Sequence, residues 1–139
     1  QLDINPAAPG DIRLQSETRN GNSEIVLTFN NTADANNFTE ARIAFYSSAE
    51  PNSNRIPTKA NITEGAGTSG TRTTLEIRGA ITSLNENIKL PSDDTADMTL
   101  KFFNDGNDSP NLDPESWFVL ELQLETGERA TYFVPVPKK

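Results

Sequence analysis

The residues best suited to chemistry lie in one acidic stretch: Asn104, Asp105, Gly106, Asn107, Asp108 and Ser109, followed by Asp113 and Glu115. Calcium takes roughly six to eight hard oxygen ligands from carboxylates and carbonyls. Asp105, Asn107, Asp108 and Asp113 could supply several of them. The aspartates and the glycine do not fall at EF-hand offsets. Asn and Asp also favour ordinary turns, because their side chains bond the nearby backbone and tolerate left-handed φ. Two readings therefore stand, a calcium site or a solvated turn, and calcium is the one cofactor this chemistry suggests. Asp93, Asp94 and Asp97 form a second acidic group with the same two readings.

Four N-x-S/T sequons begin at Asn30, Asn37, Asn61 and Asn107. A chain this rich in Asn, Ser and Thr yields about three by chance, so their number carries no weight. Their expected place, at strand ends and in loops, is where a glycan would sit. Sugar binding would use exposed aromatic rings as stacking platforms. Trp117, Tyr46 and Phe103 fall on the outer faces of their strands by alternation. The alternative is that Trp117 packs at one end of the fold and Phe103 covers a second layer. Glycoside hydrolysis needs two carboxylates about 5 to 9.5 Å apart, and among twenty acids no pair stands out. Gly65-Ala66-Gly67 has no preceding strand, no following helix and no Lys-Ser/Thr ending, so it reads as a turn and not a phosphate loop.

Two absences narrow the field. The chain has no cysteine, which excludes disulfides, thiolate metal sites and thiol nucleophiles. It has no histidine, which removes the usual general base near neutral pH, serine–histidine–acid triads and histidine-ligated metals. The expectation is a protein that is not an enzyme. The formal net charge of −8 is unevenly placed. Residues 91–128 hold ten acids against Lys101 alone, and residues 129–139 add three bases. Such an acidic surface disfavours nucleic acid and anionic lipid as partners.

These side chains must be positioned by strands, because period-two alternation runs through the chain. With 139 residues one domain is expected. Residues 1–10, broken by Pro6 and Pro9, read as an N-terminal arm or linker that would lie along a sheet edge. Residues 11–137 form the domain and 138–139 a tail. Ile12 and Leu14 share a face, and Asn20-Gly21 suits a hairpin turn. Ile25, Leu27 and Phe29 line the next strand, and Ile43 and Phe45 the one after. Residues 48–70 read as a long connection with a short strand near 60–63. Leu75 and Ile77 alternate inward. Residues 81–90 are ambiguous: Ile81, Leu84 and Ile88 have helical spacing, Asn85 and Asn87 weaken a helix, and a strand at 87–90 is allowed. Met98, Leu100 and Phe102 alternate clearly. Residues 104–115 form a second polar loop. The strongest hairpin joins 116–125, with Phe118, Leu120, Leu122 and Leu124 on one face, to 129–136 through Thr126-Gly127. Seven to eight such strands predict an all-β, immunoglobulin-like antiparallel sandwich. No run of about 18 apolar residues is present to span a membrane, so any anchor is expected outside these residues.

Several segments carry a resemblance: EIVLTFNN (24–31), EARIAFY (40–46), TLKFF (99–103), WFVLELQL (117–124), Thr126-Gly127-Glu128 and TYFVPV (131–136). Together they resemble the extracellular β-sandwich domains of archaeal, particularly haloarchaeal, cell-surface and pilin-like proteins. The likeness covers most of 11–136 and lies in strands and a hairpin, with no catalytic signature. It implies a non-catalytic structural or adhesive module of a cell-surface or filament protein, extracellular, with a protein partner at the surface or self-assembly. The alternative is a glycan- or calcium-dependent binding module.

Overall fold

A computed structural model describes residues 11–47, 55–106 and 108–138. The expected N-terminal arm, residues 48–54 of the long connection, Asn107 and Lys139 lie outside the described residues. Among these residues there is no helix long and apolar enough to cross a membrane. Nine strands follow in chain order: β1 (Ile12–Asn20), β2 (Glu24–Asn31), β3 (Asn36–Tyr46), β4 (Lys59–Glu64), β5 (Arg72–Glu76), β6 (Thr82–Leu90), β7 (Asp94–Phe103), β8 (Trp117–Leu124) and β9 (Arg129–Pro135). They form two antiparallel sheets, one of order β1-β2-β7-β4-β5 and one of order β6-β3-β8-β9. The β-sandwich is therefore shown, with nine strands where seven to eight are expected, because β4 and β6 are both full strands. β4, β5 and β6 all fall between β3 and β7, where a seven-stranded immunoglobulin frame has one strand.

Alternation explains the packing. The inward rows of β2, β7, β3 and β8 bury Ile25, Leu27, Phe29, Met98, Leu100, Phe102, Ile43, Phe118, Leu120 and Leu122 almost completely. Each large apolar side chain so buried stabilises by about 1.5–3 kcal/mol before entropy is counted. Aromatic rings then set the spacing between the sheets. Phe29 meets Phe38 and Tyr132 edge-to-face at centroid distances of 5.3 and 5.0 Å. Phe102 meets Phe45 at 5.5 Å and Phe118 at 5.2 Å. Such edge-on contacts suit the ring quadrupole better than face-to-face ones. Gly21 and Gly127 take φ of +69° and +95° in the β1–β2 and β8–β9 turns, a region in which Gly carries no steric penalty.

Three irregularities decide which side chains reach the rim. In β1 the register shifts between Leu14 and Ser16, so Glu17 pairs with Leu27 and Arg19 with Ile25. The extra residue reverses the parity of the strand and puts Arg19 on the core side. There its guanidinium donates to the carbonyls of Asn22 (2.7 Å), Leu112 (2.6 Å) and Pro137 (3.0 Å), and more weakly to Gly21 O and Asn111 Oδ1. Burial and the nearby Arg55 lower its pKa, with Asp113 opposing. In β3 a shift between Phe38 and Glu40 brings Phe38 and Ala41, three positions apart, to the same interior. In β6 the pairing with β3 jumps from Ile88 to Ser83. The bulged middle instead reaches the other sheet: Asn85 N donates to Thr73 Oγ1 (2.7 Å) and Asn85 Nδ2 to Arg72 O (3.0 Å). This bulge produces the Leu84/Ile88 spacing that imitates a helix.

Two buried polar groups tie the edges. Tyr132 of β9 donates its hydroxyl to Ile12 O of β1 at 2.8 Å, and burial first, then Asp11, raises its pKa. Asn31, 1% exposed, donates through Nδ2 to Asp34 O, Leu90 O and Pro91 O, and its Oδ1 accepts from Ala33 N. It pins the β2–β3 turn to the β6–β7 turn. The segment expected as a second polar loop closes one end of the sandwich around Leu112, which is fully buried and whose N donates to Asn22 O at 3.1 Å.

Candidate functional site

The outer face of the four-stranded sheet is built by the same alternation that fills the core. Where Phe45, Phe118 and Val134 point inward, their neighbours Tyr46, Trp117 and Phe133 point outward. Tyr46 of β3 stands directly across from Trp117 of β8, while Phe133 of β9 sits two pairs along, opposite Val119. Tyr46 and Trp117 stack at 5.6 Å with their planes 16° apart. Trp117 and Phe133 stack at 6.0 Å, again 16° apart. Cross-strand neighbours this close interact by up to about 1 kcal/mol per pair. The result is a ladder of three parallel rings across three strands, half-buried at their bases.

Arg78 extends the ladder. The backbone after β5 docks on β3: Ile77 forms a parallel bridge to Ile43, and Arg78 N donates to Ile43 O at 2.8 Å. To make this bond Arg78 adopts φ +63°, an uncommon region for a residue with a Cβ. Its guanidinium then lies 4.7 Å from the Tyr46 ring centroid, a cation–π distance. Below the ladder, Glu121 receives Arg42 Nε and Arg129 Nη1, each at 2.7 Å. The arginines are half-exposed, so these pairs add little stability, but together they fix the Glu121 carboxylate. Arg42, Ala44, Tyr46, Arg78, Val119 and Glu121 border a cleft of about 340 Å³. A second cleft of about 440 Å³ runs past Tyr46, Trp117, Ile56, Pro57 and Ile77.

Of the aromatics singled out in the sequence, the structure brings Trp117 and Tyr46 together and puts Phe103 elsewhere, on β7 of the other sheet. Sequence reasoning missed Phe133 and Arg78. Phe133 was legible, since β9 alternates as cleanly as β8. Arg78 was not, because its place depends on a backbone turn that no local pattern announces.

The acidic stretch is spread among different tasks. Asp105 Oδ1 accepts from Thr58 Oγ1 at 3.2 Å. Asp108 takes the Asn104 amide on its backbone carbonyl at 3.1 Å. Asp113 caps the turn into β8, its Oδ1 accepting from Glu115 N at 3.0 Å and its carbonyl from Ser116 N at 2.9 Å. Among the described residues no three acids gather in a group able to hold a metal ion. Asn107 lies outside them, both as a calcium ligand and as a sequon. Of the other sequons, Asn30 and Asn37 are at the ends of β2 and β3 as expected, and Asn61 is inside β4. Asn37 Nδ2 donates to Glu125 Oε2. Asn61 Oδ1 accepts from Thr74 Oγ1 at 2.6 Å, and Thr63, the third residue of its sequon, is 2% exposed. No family model matches this chain, and no curated protein matches it either.

Proposed function

We propose that this protein is a non-catalytic, extracellular, immunoglobulin-like module of a cell-surface or filament protein, and that it works by contact with a protein partner through the Arg78–Tyr46–Trp117–Phe133 face. The ring ladder carries the reading. Aromatic residues and Arg are the types most enriched at the centres of protein interfaces, where they offer large contact area at low entropic cost. Here they are held on strands, already stacked, with Arg42, Glu121 and Arg129 supplying the charged rim such interfaces have. The immunoglobulin-like part of the reading is supported by neighbour relations. The row β1-β2-β7-β4 and the row β3-β8-β9 follow the A-B-E-D and C-F-G orders of that fold. The non-catalytic part is supported by the absence of histidine and cysteine and by the two clefts on this face, which carry Glu121 as their one carboxylate, already held between two arginines.

The test uses cells that make the full-length protein. A membrane-impermeant amine label should modify it on intact cells. Trp117→Ser and Tyr46→Ser should leave its surface amount unchanged while reducing cell adhesion or assembly. Labelling only after lysis would remove the extracellular reading, and undiminished adhesion in both variants would remove the contact face.

A further inference from the structure

The opposite sheet carries a second site, independent of the aromatic ladder. On its outer face Thr74 of β5, Asn61 of β4 and Lys101 of β7 form one row across three strands, since Asn61 pairs with both Thr74 and Lys101. Arg72 lies two pairs along on β5, opposite Thr63. Phe103 stands two residues beyond Lys101 on the same face of β7. Ser109, from the loop that closes the end of the sandwich, forms the remaining wall. These six residues line a cleft of about 450 Å³, within the size range of small-ligand sites.

Its chemistry is unusual for this chain. The protein carries −8, yet the cleft is lined by two cations and no acid. Neither Arg72 nor Lys101 makes an ion pair among the described residues. Glu24 lies directly across from Lys101 on β2, but its carboxylate accepts from Asn20 Nδ2 at 3.2 Å. The polar floor is oriented as well. Thr74 donates its hydroxyl to Asn61 Oδ1 at 2.6 Å, which fixes the Asn61 amide and leaves its Nδ2 as a donor and the Thr74 oxygen as an acceptor. Phe103, half-buried, adds an apolar ring wall.

We propose that this cleft binds an acidic saccharide, a sugar bearing a carboxylate. Arg72 and Lys101 pair with the carboxylate, Arg through its two-pronged fork and Lys as a point charge. Asn61, Thr74 and Ser109 exchange hydrogen bonds with ring hydroxyls. The negative face of the Phe103 ring meets the C–H face of the sugar. The surrounding acidic surface selects against long polyanions, and Glu24, across from Lys101, leaves Arg72 as the stronger of the two anchors for a short sugar acid. Occupation also excludes N-glycosylation at Asn61, whose amide is part of the floor.

The test titrates the purified full chain with an oligogalacturonate of about four residues, a neutral oligogalactose of equal length, and polyphosphate, read by calorimetry and by amide chemical shifts. The oligogalacturonate alone should bind, shifting the amides of Asn61, Thr74 and Lys101. Arg72→Gln with Lys101→Gln, and separately Phe103→Ala, should each weaken it by about tenfold or more. These positions are on the surface, and thermal melting checks that each variant folds. No binding at millimolar oligogalacturonate, equal binding of polyphosphate, binding indifferent to Phe103→Ala, or a glycan on Asn61 in the intact mass would each overturn the proposal. None of these results touches the contact face on the other sheet.

Discussion

Replacing Arg19 with Met keeps the length of the side chain and removes every hydrogen bond it donates. Three of those bonds are short, to Asn22 O, Leu112 O and Pro137 O, and they join the β1–β2 hairpin, the loop closing the sandwich and the C-terminal segment. A hydrogen bond to a charged group contributes about 1.5–3 kcal/mol. Arg19 is partly exposed, so water replaces some of what is lost and the sum is discounted. The expected destabilisation is about 2–4 kcal/mol. For a chain of this length it lowers Tm by about 6–12 °C. Arg19→Lys should recover less than half, because an ammonium cannot match a planar fork aimed at carbonyls on separate segments. Urea unfolding followed by the fluorescence of Trp117, the single tryptophan, measures both variants, with an unchanged m value showing that the native state is intact. Hydrogen exchange at the Leu112 amide, bonded to Asn22 O, should accelerate in Arg19→Met. A loss under about 0.5 kcal/mol, the range of ordinary surface substitutions, would refute the argument that Arg19 fastens these segments.

Three further outcomes follow from the packing. Tyr132 holds its proton more tightly folded than unfolded, so its contribution is whole below the unfolded tyrosine pKa of about 10 and is lost as pH rises above it; Tyr132→Phe should cost about 1 kcal/mol at neutral pH and flatten the alkaline decline in denaturation curves taken between about pH 9 and 11. Asn31→Ala should destabilise by about 1–3 kcal/mol, and Asn31→Asp by more, because a carboxylate would then face the carbonyls of Asp34, Leu90 and Pro91; chemical denaturation ranks the two. Arg78→Gly should change stability by less than about 1 kcal/mol, because relief at positive φ offsets the lost cation–π contact, whereas Arg78→Val at the same φ should be clearly worse by thermal melting.

How much of this was legible in the sequence depends on the range of the interaction concerned. The alternation of Phe118, Leu120, Leu122 and Leu124 gave β8 its face and its register at once, since a shift by one residue would expose the whole set. The Asn20-Gly21 and Thr126-Gly127 turns marked the β1–β2 and β8–β9 hairpins, while the longer β4–β5 connection was not seen as one. Residues 81–90 misled because the β6 bulge breaks the period, and the bulge exists to let Asn85 bond Thr73 and Arg72 on the other sheet. Nothing local marks Arg19: the face shared by Ile12 and Leu14 would leave it outward in a regular strand, and the shift after Leu14 turns it inward. Trp117 and Tyr46 were recognised as outward, but not as partners, since strand neighbours far apart in sequence are set by topology. The cleft around Asn61 shows the same limit: its residues come from β4, β5, β7 and a loop, and although Phe103 was read as a sugar platform and Asn61 as a sequon, no local pattern brings them together with Arg72, Thr74, Lys101 and Ser109.

The contact face is tested most directly by oxidative footprinting of the full-length protein on intact cells and of the isolated domain. Modification of Trp117 and Tyr46, rings half-exposed in the domain alone, should fall sharply on cells. Equal modification of Trp117 and Tyr46 in the two settings would contradict the assignment of this face to a partner.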